Sequence, residues 1–159
     1  MSHETLWFLE SLAEVLIDGA DTGDTYDAVT FTDPPGYMPP PHVHANESEG
    51  FLVLAGELTV HTAAGSRALR AGEAAHAPRS EPHTVEVTSP DAARYTVVGV
   101  PAGLVDFVRA VATPAPRREL PVPGGPVDVE RLERIAMEHG ITMVGPPGSL
   151  PADLLNRPA

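Results

Sequence analysis

Through the first hundred residues the apolar positions fall in short alternating runs, the pattern of strands that bury one face. Ser11 to Asp18 carries Ala13, Val15 and Ile17 in alternation. Leu6, Leu9, Leu12, Ala13 and Leu16 also fit a helical stripe, and the strand reading is favoured. Gly19 to Gly23 has the composition of a turn, and Tyr26 to Thr32 then alternates through Asp27, Val29 and Phe31, so the two runs predict a hairpin. Further strands are predicted at Glu49 to Leu54, Glu57 to Thr62, Arg67 to Arg70, Ala74 to Pro78, His83 to Thr88 and Ala93 to Val100. Turns at Gly56, at Ala64 to Ser66 and at Ala71 to Glu73 punctuate them. Such even spacing predicts an all-β protein built as an antiparallel barrel or sandwich.

After Gly103 the period changes. Leu104, Phe107, Val108 and Val111 stand at i, i+3, i+4 and i+7, one face of a helix. A proline-rich connector, residues 113–126, runs extended to a second helix capped by Asp128, with Val129, Leu132, Ile135, Ala136 and His139 on its apolar stripe and Gly140 at its end. The organisation expected is one domain. Residues 1–112 hold the β core, at about 11–100, and the first helix; residues 127–145 hold the second helix and a packing segment; residues 146–159 form a loose tail.

Candidate chemistry is concentrated between Gly36 and Gly56, which reads GYMPPPHVHANESEGFLVLAG. Pro39, Pro40 and Pro41 disfavour helix ahead of His42 and His44, and in extended chain those two imidazoles point to one side and can meet one ion. Glu49 shares a strand face with Phe51 and Val53, so its carboxylate turns inward as well. His83 alternates with Val85 and Val87 and also faces the core. Two imidazoles and a carboxylate suit a divalent transition metal. The remaining histidines read as uninvolved: His3 at the terminus, His61 at an outward strand position, His76 in a structural or surface role, and His139 at a helix end. Glu47, the competing carboxylate, is expected to stay solvated. Met38, Met137, Met143, Phe51, Tyr95 and Phe107 are read as packing.

Composition narrows the chemistry further. A chain of 159 residues buries roughly 70% of its unfolded surface and needs no staple. With no cysteine there are no disulfides, thiolate ligands or iron–sulfur clusters, and a metal must be held by nitrogen and oxygen. A formal net charge of −12 with ten Lys and Arg opposes binding to a phosphate backbone, so no nucleic-acid partner is expected. No stretch reads as a secretory leader or a membrane span, and a cytoplasmic protein is expected.

The spacing Gly36-x5-His42-x-His44-x4-Glu49-x6-Gly56 resembles the first signature motif of the cupin superfamily. Gly72-x5-Pro78 followed by His83 resembles the second, with Ser80 where a glycine is usual and Val87 where an asparagine often stands. The resemblance implies a jelly-roll β-barrel with two C-terminal helices, and one divalent ion (Mn, Fe, Co, Ni, Cu or Zn) held by His42, His44, Glu49 and His83. It also implies a homodimer. The PPPHVH start, the EGFLVLAGE run and the C-terminal HGITMVGPP are similar to single-domain bacterial cupins related to quercetin (flavonol) 2,3-dioxygenases. That likeness implies a dioxygenase acting on a flavonol-like or other small aromatic or enolisable substrate, with Glu49 as acid or base. The rivals are a non-oxidative cyclase or isomerase of polyketide-like intermediates and a ligand- or metal-binding cupin without catalysis.

Overall fold

The computed structural model describes residues 4–154, so His3 lies outside the described residues. The strands are Thr5–Phe8 (β1), Ser11–Ile17 (β2), Asp27–Asp33 (β3), His42–His44 (β4), Ser48–Ala55 (β5), Glu57–Thr62 (β6), Gly65–Arg70 (β7), Ala74–Ala77 (β8), His83–Val87 (β9), Ala93–Val100 (β10), Thr113–Pro114 (β11) and Ile141–Met143 (β12). They form two antiparallel sheets, in the orders β11-β1-β2-β3-β10-β5-β8 and β12-β4-β9-β6-β7. The sheets face each other across one apolar core as a jelly roll, and among the described residues no hydrogen-bonded ladder closes them into a continuous cylinder. Alternation decides what enters that core: Phe51 and Val53 from β5, Leu58 and Val60 from β6, Val85 and Val87 from β9, and Tyr95 and Val97 from β10 are all buried. Each such side chain contributes on the order of 1.5–3 kcal/mol.

The ambiguous N-terminal segment is strand, paired on both sides by β1 and β3. The expected turn between β2 and β3 is instead one helical turn, Gly19–Thr22 (α1), capped by the Asp18 side chain and closed by Gly23 in the left-handed region. The first C-terminal helix is Leu104–Val111 (α2). It has no cap of its own at Gly103; Asp27, from β3, accepts from the N–H groups of Gly103 and Val105 at 2.9 Å each. The second is Val129–Glu138 (α3), with Asp128 accepting from the Arg131 N–H and with Leu132, Ile135 and Ala136 buried. Val129, placed on the apolar stripe by its spacing, is exposed because it precedes the turn that meets the core.

The connector begins as β11 on the edge of β1 and continues over the outer face of that sheet, where Arg118 pairs with Glu14 and the Trp7 indole donates to the Glu119 carbonyl. The stretch expected as a loose tail contains Pro151–Leu154 (α4), which packs on β6; residues 155–159 lie outside the described residues.

Two turn positions explain the motif residues around the site. Gly56 has φ +76°, and a Cβ there would lie 2.9 Å from the backbone of Ala92 and Ala93, so only glycine fits. Ser80 stands where a glycine was expected and keeps the left-handed conformation, with φ +67°. Its N–H donates to the His44 carbonyl at 2.8 Å, which ties the loop before β9 to the end of β4.

Candidate metal centre

The four residues singled out by spacing meet between the two sheets. His42 and His83 are direct cross-strand partners on β4 and β9, and His44 lies one pleat repeat further along β4. Glu49 comes from the opposite sheet, where β5 pairs it with Gly99 on one side and Ala77 on the other. One nitrogen from each imidazole and one Glu49 oxygen all lie within 4.8 Å of one another. His44, Glu49 and His83 are buried, and His42 is half-buried at the mouth.

The outward nitrogens are all engaged. His42 Nδ1 is 2.8 Å from the Pro40 carbonyl, His44 Nδ1 is 2.8 Å from Glu47 Oε1, and His83 Nδ1 is 3.4 Å from the Glu81 carbonyl. Because those partners are acceptors, a proton on each Nδ1 leaves each Nε2 lone pair turned inward, the tautomer that a metal requires. His83 Nε2 then faces Glu49 Oε2 at 2.9 Å, and His44 Nε2 faces the same oxygen at 3.6 Å. With no cation among them, His83 Nε2 donates to Glu49 Oε2; with one, both atoms would turn lone pairs towards it. Three imidazoles, each oriented through its outer nitrogen, and one carboxylate fit a divalent ion.

Burial keeps one imidazole neutral, while the two carboxylates draw positive charge towards another. Burial drives the His42 imidazole down to about 3, and the neighbouring His83 and His44 push it the same way, so it is neutral at physiological pH and free to donate its lone pair. Burial by itself raises the Glu49 carboxyl, but His44, the hydrogen bond from His83 and the charge of His83 and His42 outweigh it and hold Glu49 down at about 2. Burial lowers His44, and the carboxylates of Glu49 and Glu47 more than offset it, leaving this imidazole above its ordinary value.

Glu47 departs from the sequence expectation. It is buried, 3% exposed, because the His44 ring and the backbone at Gly103, leading into α2, enclose its carboxylate. It is the carboxylate that orients His44. His61 was expected to face outward without a role, yet it is buried: α4 packs against its strand, Ser66 Oγ lies 2.6 Å from its Nδ1 and Glu86 Oε2 lies 2.9 Å from its Nε2. His76 is exposed on β8, and His139 contacts the Phe107 ring and the Ile135 carbonyl, as uninvolved residues would.

The cluster forms one wall of a cavity of about 110 Å³. Phe8, Phe31, Phe51, Phe107, Leu132 and Ile141 are among its apolar lining. Phe51, Tyr95, Phe107 and Met143, read as packing, thus do double service as cavity wall, whereas Met137 is exposed. An outer groove of about 670 Å³ shares Leu9, Tyr37, Pro39, Pro40, Leu132 and Met143 with the cavity and leads out past Gly145 and Pro146. Sequence alone gave no hint of β12, which pairs Met143 with His42 and Ile141 with His44 and so seals the edge of the site.

Comparison with known proteins places this arrangement. The family model described as the cupin domain matches residues 29–99, the span that carries all four converging side chains. Residues 29–99 are a cupin domain. A quercetin 2,3-dioxygenase from Bacillus subtilis (strain 168) is 33% identical over 86 residues, 54% of this chain, and the chain spans only about a quarter (26%) of that relative's length. Among solved structures, a predicted oxalate decarboxylase from Thermotoga maritima matches with a TM-score of 0.56 at 19% identity, over 63% of this chain and 92% of its own. An RmlC-like cupin from Shewanella frigidimarina matches at 0.54 and 20% identity, over 63% and 85% of the two chains. An oxalate oxidase in complex with glycolate matches at 0.50 and 25% identity, over 58% and 52%. The cupin jelly roll is common to these structures.

Proposed function

We propose that this cupin is a metal-dependent dioxygenase acting on a small aromatic or enolisable compound. The observation that carries the reading is the convergence of three inward Nε2 atoms and the Glu49 carboxylate on the wall of an apolar chamber. The quercetin 2,3-dioxygenase relative supports the oxidative direction. His42, His44, Glu49 and His83 would hold one divalent ion, which when bound supplies a Lewis acid and a meeting point for substrate and dioxygen.

The chain's own residues do the rest. The aromatic lining excludes water and grips a ring by its faces and edges. The Glu47 carboxylate and the Pro40 and Glu81 carbonyls fix the imidazoles, so the site is organised before substrate arrives. Glu49 is ionised, the state a proton acceptor requires, and becomes more basic as its contacts with His44 and His83 loosen. The inner chamber has room for one ring at most, so a larger flavonol-like substrate would extend its remainder along the outer groove.

The same reading takes the protein to be a cytoplasmic homodimer working on small molecules and not on nucleic acid. Leu52 and Leu54 on β5 and Val100 on the adjoining β10, all exposed, give a second copy an apolar surface to meet. Among the described residues no helix is long and apolar enough to cross a membrane.

Oxygen uptake tests the activity. Metal-loaded protein mixed with quercetin, or with a single-ring enolisable analogue, is expected to consume dioxygen in step with substrate loss, and to stop when oxygen is removed. Turnover that continues unchanged under anaerobic conditions would replace this reading with the non-oxidative isomerase or cyclase.

A further inference from the structure

The chamber has a second polar end that the metal chemistry does not use. Asp33 on β3, Tyr95 on β10, Ser11 at the start of β2 and Tyr37 in the loop before β4 all line it. Tyr95 stands four residues along β10 from Gly99, the strand partner of Glu49, so the two ends are about 13 Å apart along the sheet. The paired residues Phe51 and Val97 lie between them.

At this end Tyr95 Oη donates to Asp33 Oδ2 at 2.5 Å, which satisfies one carboxylate oxygen. The other oxygen, Oδ1, and the Ser11 hydroxyl make no hydrogen bond of good geometry, although both residues are 0% exposed and the Ser11 hydroxyl lies near enough to act on the Asp33 carboxyl. Leaving a buried polar atom unpaired costs about 1–3 kcal/mol, and such atoms are rare in folded proteins. Two of them on the wall of one cavity, one an acceptor and the other able to donate or accept, are complementary to a hydroxyl group.

We propose that Asp33, Ser11 and Tyr95 form a ligand subsite that binds the hydroxyl of an aromatic ring seated in the chamber, at the end opposite the histidine cluster. The inference rests on reading this cavity as the substrate chamber and adds the class of group that the substrate carries there. The volume limits the occupant to one ring at most: an apolar cavity of ~150 Å³ holds benzene, and this one measures about 110 Å³. Burial raises the Asp33 carboxyl to about 6, against the opposing pull of Ser11 and the Tyr95 hydroxyl, so above that value it is an anionic acceptor for an O–H donor.

Titration calorimetry with phenol and toluene tests the subsite without an identified substrate. Phenol is expected to bind the protein as purified more tightly than toluene. Ser11→Ala and Asp33→Leu are each expected to lower the phenol-to-toluene affinity ratio at least tenfold, with toluene binding retained as the check that the chamber is intact. Dialysis against a chelator is expected to leave the wild-type ratio unchanged, because the subsite works without the metal, and this separates failure of the subsite from failure of the metal reading. The proposal is overturned if neither ring binds the wild type or if toluene binds it more tightly. It is equally overturned if the ratio survives both substitutions within twofold, or if phenol binding disappears on chelation.

Discussion

Glu47 and Glu49 are two residues apart, and the fold gives them different work. Glu49, on β5, turns inward by strand alternation and joins the three imidazoles, while Glu47, in the loop before β5, lies behind His44 and holds its Nδ1. The four converging residues were legible in the sequence because their cause is local: i, i+2 spacing after three prolines, and in-out alternation on β5 and β9. Glu47 was not, because its burial depends on the backbone at Gly103, more than fifty residues away. Ser80 was legible only as a departure from the expected glycine; its φ of +67° is in the left-handed region that a glycine would favour.

Asp33 carries a prediction at the same scale. Its carboxyl rises from 3.8 to about 6 on folding, so between those values the folded state holds a proton that the unfolded state has released. Stability contributed by this group is therefore present at low pH and lost as pH rises through about 6, an effect on the order of 3 kcal/mol. Asp33→Asn removes the titration. In urea unfolding measured from pH 4 to 7.5, the stability of the variant relative to wild type is expected to grow by about that amount. A difference that stays constant across the range would show that Asp33 is not raised.

At the scale of elements, the strands were readable and some of their partners were not. Alternation identified β2, β3, β5, β6, β9 and β10, because each buries one face, and the period change at Gly103 identified α2. α1 was read as a turn because Asp18 and Gly23 are cap residues as well as turn residues. β12 is only three residues long, too short for periodicity to register, and its place is set by pairing with β4. That short strand nevertheless braces the site, with Ile141 buried opposite His44. Ile141→Ala is expected to cost about 2–5 kcal/mol, the range for emptying a packed core position. A loss under 1 kcal/mol in the same urea titration would mean that β12 is an ornament on β4 and not a brace.

At the scale of the molecule, the jelly roll does what no single element can. It draws ligand-type side chains from two sheets to one point, places an aromatic chamber against them and closes one edge with the C-terminal strand. The acidic, cysteine-free composition pointed to nitrogen and oxygen ligands without locating them; the two-sheet topology brings Glu49 to within 2.9 Å of His83 across 34 positions of sequence. Everything proposed for catalysis depends on an ion at that point. Elemental analysis of protein purified without an affinity tag tests it most directly, comparing wild type with His42→Ala and His83→Ala. One divalent transition metal per chain is expected in the wild type, falling to a small fraction of that in both variants while the fold is retained. Full metal retention in both variants, or a metal-free wild type that takes up no added ion, would contradict the account.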